Sequence, residues 1–311
     1  MRRHKFPASF LILVLFISCA TSPGAGPAPE DGAPDFSVFP QGADLYLWAD
    51  VERAKDLLEA LAFEGTSGRD ASQILERTDT ALAAFYPENA PRRFFLAGWG
   101  NYPNLRAGLS MSFNSNWKKV KSETGNRYWY SAGNKLGIAL GSRLAFASDG
   151  DPFSPGQGAD PAPRGFEEFR RACVLSGWLN DPGVSINGFI DELGLPLQIP
   201  AEDFFFGVIR LPFEESWELA FRIKTPSANN ARSLVSLINL ARFFMGKGPF
   251  PQNGGPEGSE PLSISPQEAV ALLFANDPEQ NEEFLTIRTG PLAKDRIALL
   301  FTMFSLYSEK H

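Results

Sequence analysis

Apolar and polar positions along this chain switch between a period of two and a period near 3.6, and the switches mark out its elements. Leu45-Tyr46-Leu47-Trp48-Ala49 is a short run of strand-forming residues. Asp50 then stands as an N-cap, and Ala54, Leu57, Leu58 and Leu61 recur at i, i+3, i+4 and i+7, the apolar stripe of a helix. Glu52, Arg53, Lys55 and Glu59 fall on its outer side. A second helix is predicted over 71–86, with Ile74, Leu75, Leu82 and Phe85 inward and Pro87 as its stop. Strands are predicted at 94–99, 105–113, 127–131, 135–140 and 143–147, separated by Asn101, Pro103, Gly125-Asn126, Gly133-Asn134 and Gly141-Ser142. Such short spacings favour an antiparallel meander.

Residues 149–165, DGDPFSPGQGADPAPRG, break this pattern with Gly, Pro and Asp. They predict a linker over 151–165, dividing an N-terminal α+β half (36–150) from a C-terminal one (166–311). The chain then restarts: a strand over 173–179, a short helix over 186–193, and strands over 204–211 and 217–224. Thr225-Pro226 is expected to open a long helix, since proline suits the first helical position. Leu234, Val235, Ile238 and Ala241 supply its apolar positions. After a Gly/Pro loop at 246–261, Ser265-Pro266-Gln267-Glu268 reads as a capping box, for a helix ending near Asn276-Asp277-Pro278. A strand over 284–288 and an apolar helix over 292–307 close the chain. The fold class expected is α+β, mainly antiparallel sheets with flanking helices. A strand–helix pair carrying Trp48 resembles one carrying Trp178, and Pro91-Arg92-Arg93-Phe94-Phe95 resembles Pro200-Ala201-Glu202-Asp203-Phe204-Phe205. Each is followed by a Pro-bearing turn and an alternating strand, so the pattern allows two related β-α-β-β halves.

The N-terminus carries an address. Arg2, Arg3 and Lys5 precede the uninterrupted apolar run from Phe10 to Ile17, and Ser18-Cys19-Ala20 supplies small residues for cleavage. This is the layout of a secretory signal over 1–18, too short to span a bilayer, which needs about 20 apolar residues. Phe16-Ile17-Ser18-Cys19 resembles the lipobox of bacterial lipoproteins, in the looser spirochaete form, because Phe16 stands where Leu is usual. The resemblance implies cleavage before Cys19, a diacylglyceryl group on its sulfur and often a further acyl chain on the new amino terminus. Two or three acyl chains anchor stably where one is marginal. The following stretch, within 19–35, has no large apolar side chain and cannot fold alone. Thr21–Pro34 reads as a tether, reaching up to roughly 40 Å at about 3.1 Å per residue. The place implied is the bacterial cell envelope, on the exported side of a membrane. The choice between inner and outer membrane stays open, with the outer favoured. The body resembles duplicated envelope proteins of unknown function only weakly.

Composition narrows the chemistry. Cleavage removes three cations and no acid, taking the net charge from −7 to −10. That balance argues against nucleic acid and against broad adhesion to anionic lipid. Phenylalanine is abundant, at 27 of 311 residues, so there is ample material for a core. With Cys19 acylated, Cys173 has no disulfide partner and reads as a small buried hydrophobe. His4 leaves with the signal and His311 ends the chain, so the body lacks the histidine that Ser-His-Asp or Cys-His catalysis and His-ligated metal sites require. Ser115-Asn116-Trp117-Lys118, Ser148-Asp149-Gly150 and Lys224-Thr225-Pro226 approximate the penicillin-binding motifs, but Ser115 does not open a helix and Pro226 replaces the needed glycine. The acidic groups around Asp149, Asp151 and Asp160 and around Asp277, Glu279, Asn281, Glu282 and Glu283 miss the EF-hand pattern. The neighbours Asp191-Glu192 and Glu214-Glu215 point apart.

Tyr128-Trp129-Tyr130 is the one unusual aromatic run. Its pleat puts the tyrosines on one face and Trp129 on the other, so it offers either a stacking platform for a ligand or core packing with the tyrosines at the margin. No metal or other cofactor is expected. The reading is a lipid-anchored envelope protein of non-enzymatic binding or scaffolding type, its partner a protein or an apolar ligand. The alternative is an envelope hydrolase using a carboxylate pair, on glycan.

Overall fold

The computed structural model describes residues 34–62, 75–87, 90, 93–153, 162–184, 186–187, 198–212, 216–245, 271–273 and 275–308. Two compact units divide between Asn180 and Asp181. Helices flank mainly antiparallel sheet.

In the first unit the chain forms β1 (Leu45–Asp50), α1 (Val51–Ala62), β2 (Thr78–Phe85), β3 (Phe94–Gly100), α2 (Asn104–Phe113), β4 (Lys118–Lys121), β5 (Arg127–Ser131), β6 (Leu136–Leu140), β7 (Leu144–Ser148), α3 (Phe166–Arg170) and β8 (Leu175–Leu179). The strands lie in the order β8-β1-β2-β3-β7-β6-β5-β4, and each neighbouring pair is antiparallel. Of the expected meander, β5 to β7 are present in sequence order, and β4 extends it by one strand. The Arg53 N–H donates to Asp50 Oδ1 at 3.1 Å, so Asp50 caps α1 as its sequence suggests.

Two predicted elements are corrected. Residues 78–85, read as the second half of a helix, form β2; residues 71–74 of that predicted helix lie outside the described residues. The Ala-Leu composition favours a helix locally, but β1 and β3 bond both edges of this segment. Neighbouring strands override a weak local preference. Residues 105–113, read as an alternating strand, form α2 instead. This also removes one strand from the pattern that matched the two halves. Strand β4 was not anticipated, because Lys118-Lys119-Val120-Lys121 has almost no apolar signal. Two strand glycines sit where no side chain fits. A Cβ would come within 1.9 Å of the Arg77 carbonyl oxygen at Gly100 and within 1.9 Å of the Gly150 carbonyl oxygen at Gly137.

The registers define the two faces of this sheet. One carries the transverse row Leu47, Ala83, Leu96, Ala147, Ile138, Trp129 and Lys119. Helices cover it: α1 brings Leu58 against Ala49 and Ala81, and α2 brings Met111 into a cluster with Trp117, Trp129, Leu136 and Ile138. The opposite face is aromatic. Trp178 stacks on Tyr46 with centroids 4.6 Å apart, and Phe36 and Phe166 meet it edge-on. Phe39 lies 5.4 Å from Phe95. Burying each such ring contributes about 1.5–3 kcal/mol. The segment just after the predicted tether is therefore pinned to the sheet, with Asp35 accepting from the Ser37 N–H at 3.0 Å.

The second unit holds β9 (Asp203–Arg210), β10 (Trp217–Lys224), α4 (Ala228–Met245), β11 (Glu279–Asn281), β12 (Phe284–Arg288) and α5 (Lys294–Ser308), with strand order β11-β12-β10-β9. Leu234 and Ile238 of α4 pack on Ile223, Leu285 and Ile287. Helix α4 starts later than Thr225-Pro226 predicts. Ser227 Oγ accepts from the Asn230 N–H at 3.2 Å, while Thr225 Oγ1 donates to the Glu283 carbonyl at 3.0 Å, tying the strand end to the next hairpin. Residues 182–184 and 186–187 are helical, and the rest of the predicted 186–193 helix lies outside the described residues. So do the 246–261 loop and the capping box at 265–268.

Candidate functional site

Of the residues singled out in the sequence, Cys19 and the tether as far as Ala33 lie outside the described residues, as do Asp160, Asp191-Glu192 and Glu214-Glu215. Tyr128, Trp129 and Tyr130 are split by the pleat. Trp129 lies in the core cluster beneath α2, with Lys119 Nζ 5.7 Å from its ring centre. Tyr128 is buried and Tyr130 half-buried on the opposite face. Cys173 is buried, and its thiol donates to the Phe169 carbonyl at 3.4 Å. Ser115 sits in the turn after α2 rather than at a helix start. Asp149 Oδ2 accepts from the Arg93 N–H, and Lys224 pairs with Glu202 at 2.7 Å. Among the described residues no group of three or more His, Cys, Asp or Glu side chains is placed to hold a metal ion.

The unusual surface lies on α2. At 100° per residue, Met111 points away from Leu109 and Phe113, which are one turn apart on a single stripe. Met111 is 3% exposed and seats the helix on the sheet, whereas Leu109 is 58% and Phe113 87% exposed. Among its described side chains the helix thus turns Met111 toward the core and two large apolar residues toward the outside. The same stripe explains the misread period: Leu109, Met111 and Phe113 alternate in sequence, but they share no strand face. In the second unit, α4 repeats the arrangement. Leu234 and Ile238 face its core, while Leu237, Leu240 and Phe243 are exposed on the other side.

Beside α2, β4 is the last strand of its sheet. Lys119 is paired with Trp129 and Lys121 with Arg127, so these three cations share the helix-covered face. Lys118, Lys119, Lys121 and Arg127 are all exposed, and among the described residues none joins an ion pair. The signal that would have found this patch in the sequence is the local run of charge rather than its total.

Elsewhere the charged groups do structural work. Arg170, almost fully buried, lies over the Trp48 ring at 4.4 Å and donates to both Glu167 oxygens. The hydrogen bond from Arg170 holds the Glu167 carboxyl below its usual pKa. Burial pushes the Asp203 carboxyl up despite Lys224 nearby, and the Glu202 hydrogen bond raises the pKa of Lys224. Burial also pushes the Tyr102 phenol up to about 12, although its hydroxyl lies 3.0 Å from Thr78 Oγ1.

Comparison with known proteins places this geometry among relatives. Residues 32–145, which run from before β1 into β7 and include α2 and the basic strand, match the family model described as outer membrane-associated lipoprotein TP0453. Over 101 residues the chain is 30% identical to the outer membrane protein TP0453 of Treponema pallidum (strain Nichols), covering 32% of this chain and 34% of that protein. The match thus spans about a third of that relative's length. The fold resemblance extends further. Crystal form III of TP0453 superposes with a TM-score of 0.58 at 16% identity, covering 88% of this chain and 100% of that one. Crystal form IV gives 0.56 at 16% identity, with 89% and 100% covered. The chain is therefore similar to an outer membrane-associated lipoprotein through its N-terminal part, and shares that protein's fold over most of its length.

Proposed function

We propose that this protein is a lipid-anchored envelope protein, acylated at Cys19 after removal of residues 1–18 and attached to the outer membrane, whose body binds the membrane surface through α2. It acts by binding rather than by catalysis. The observation that carries this reading is the outer stripe of α2, where Leu109 and Phe113 stand exposed while Met111 fixes the helix to the core. Leu109 and Phe113, one turn apart, form a contiguous apolar patch rather than scattered exposed residues, and such patches serve as interaction surfaces. A flexible tether starting at an acylated residue would hold that surface within reach of the bilayer. The match of residues 32–145 to an outer membrane-associated lipoprotein family supports both the anchor and its location.

The test uses the chain from residue 19 with Cys19→Ser, so that no acyl chain contributes. Each fully buried Leu or Phe is worth about 1.5–3 kcal/mol, so Leu109→Ser together with Phe113→Ser should weaken binding to phospholipid vesicles by at least about 100-fold. Thermal stability should stay unchanged. Equal vesicle binding by the parent and the double variant would refute the role of α2. For the anchor, the intact mass of the mature protein should include acyl chains on Cys19, and an unmodified terminus downstream of it would sink that assignment.

A further inference from the structure

The net charge of this chain conceals a sharp division. Between Glu88 and Asp149 the sequence holds nine basic residues (Arg92, Arg93, Arg106, Lys118, Lys119, Lys121, Arg127, Lys135 and Arg143) and a single acid, Glu123, although the whole chain has 29 basic and 36 acidic residues. This interval contains α2 and β3 to β7. The densest part of it is β4. Lys on an edge strand commonly guards against strand-to-strand association. Here three of the four residues of the strand are cationic, and Arg127 on the neighbouring strand adds to them.

We infer that β4 and Arg127 form an anionic-lipid site beside α2, in which Lys119, Lys121 and Arg127 take the phosphates of lipid headgroups while the apolar side of α2 meets the acyl boundary. The inference rests on the membrane reading above and adds a lipid class to it. Three observations support this occupant. The three cations lie on the face of the sheet that α2 covers. They are exposed and, among the described residues, outside any ion pair. Only four residues separate Phe113 from Lys118, so apolar and basic contacts fall close together along the chain. An apolar helix stripe flanked by cations is the arrangement that binds anionic membrane surfaces, by area and by charge together. The acidic remainder of the protein would be repelled by the same surface, which orients the body with this part toward the lipid.

The experiment again uses the chain from residue 19 with Cys19→Ser, and vesicles of phosphatidylcholine alone or with phosphatidylglycerol. The parent should prefer the anionic vesicles, and that preference should shrink as salt rises, because the screening length is about 10 Å at 0.1 M. Each cation near the surface is worth about fivefold in partitioning, so Lys119→Gln with Lys121→Gln and Arg127→Gln should lower binding to anionic vesicles on the order of 100-fold. Binding to neutral vesicles should hardly change. A control removes the same charge elsewhere, by Arg53→Gln, Lys55→Gln and Lys294→Gln, and should keep the preference. Equal binding to both vesicle types would overturn the inference while leaving the membrane reading standing. An equal loss in the control would also overturn it, by showing that total charge decides. Binding to neither vesicle type would overturn both readings.

Discussion

Helices α1 and α2 lie on the same face of the same sheet, yet their outer surfaces are opposites. On α1 the inner positions Val51, Ala54 and Leu57 are fully buried, and the outer ones include Glu52, Arg53 and Asp56. Among the described side chains of α2, Met111 faces the core, and Leu109 and Phe113 stand exposed on the outside. An inner stripe says how a helix joins its fold, while the outer stripe says what else it touches. The first helix ends its business at the core, and the second keeps apolar area that the fold does not use.

The largest contrast should appear in stability. Leu57→Ala opens a cavity at a fully buried site and is expected to cost about 2–5 kcal/mol, read by urea denaturation. Phe113→Ala should fall within about 0.5 kcal/mol of the parent, as exposed positions do. If both substitutions cost the same, the outer stripe of α2 is core after all. A smaller effect follows from the helix start. Asp50→Ala removes the acceptor for the Arg53 N–H and should cost α1 about 1 kcal/mol.

Ionisation adds two effects that check the frame around both helices. The Tyr102 phenol is neutral when protonated, and folding raises its pKa from 10.0 to about 12. The folded state therefore favours the proton. Its contribution is whole below pH 10 and fades as pH rises from there through about 12. Thermal melts across this window should fall more steeply for the parent than for Tyr102→Phe. The Glu167 carboxyl moves in the other direction. Held below its usual pKa by Arg170, it stabilises the fold above the ordinary carboxylate range and loses that contribution as pH falls. Glu167→Gln should flatten the acid side of the melting curve by a small amount, since this side chain is partly exposed.

The contrast between the helices also explains what was legible in the sequence. Helix α1 was readable because its charges and apolar residues separate cleanly at helical spacing, and β5 to β7 were readable because short turns punctuate them. Helix α2 was not, because outward-facing Leu109 and Phe113 add to Met111 and imitate a period of two. Strand β2 was hidden by alanines that suit a helix until partners arrive on both sides. The core position of Trp129 and the buried Cys173 were within reach of pattern alone. The basic strand was missed because a total charge averages over the chain, while a membrane responds to the charge within a Debye length.

On the proposed reading the outside of α2 contacts lipid and the outside of α1 does not. Because Cys173 is buried, a cysteine placed on the Cys19→Ser background can carry an environment-sensitive fluorophore selectively. Phe113→Cys should shift its emission to the blue when phosphatidylglycerol-containing vesicles are added, while Glu52→Cys on α1 should stay unchanged. No shift at Phe113→Cys, or equal shifts at both positions, would rule out selective lipid contact by α2.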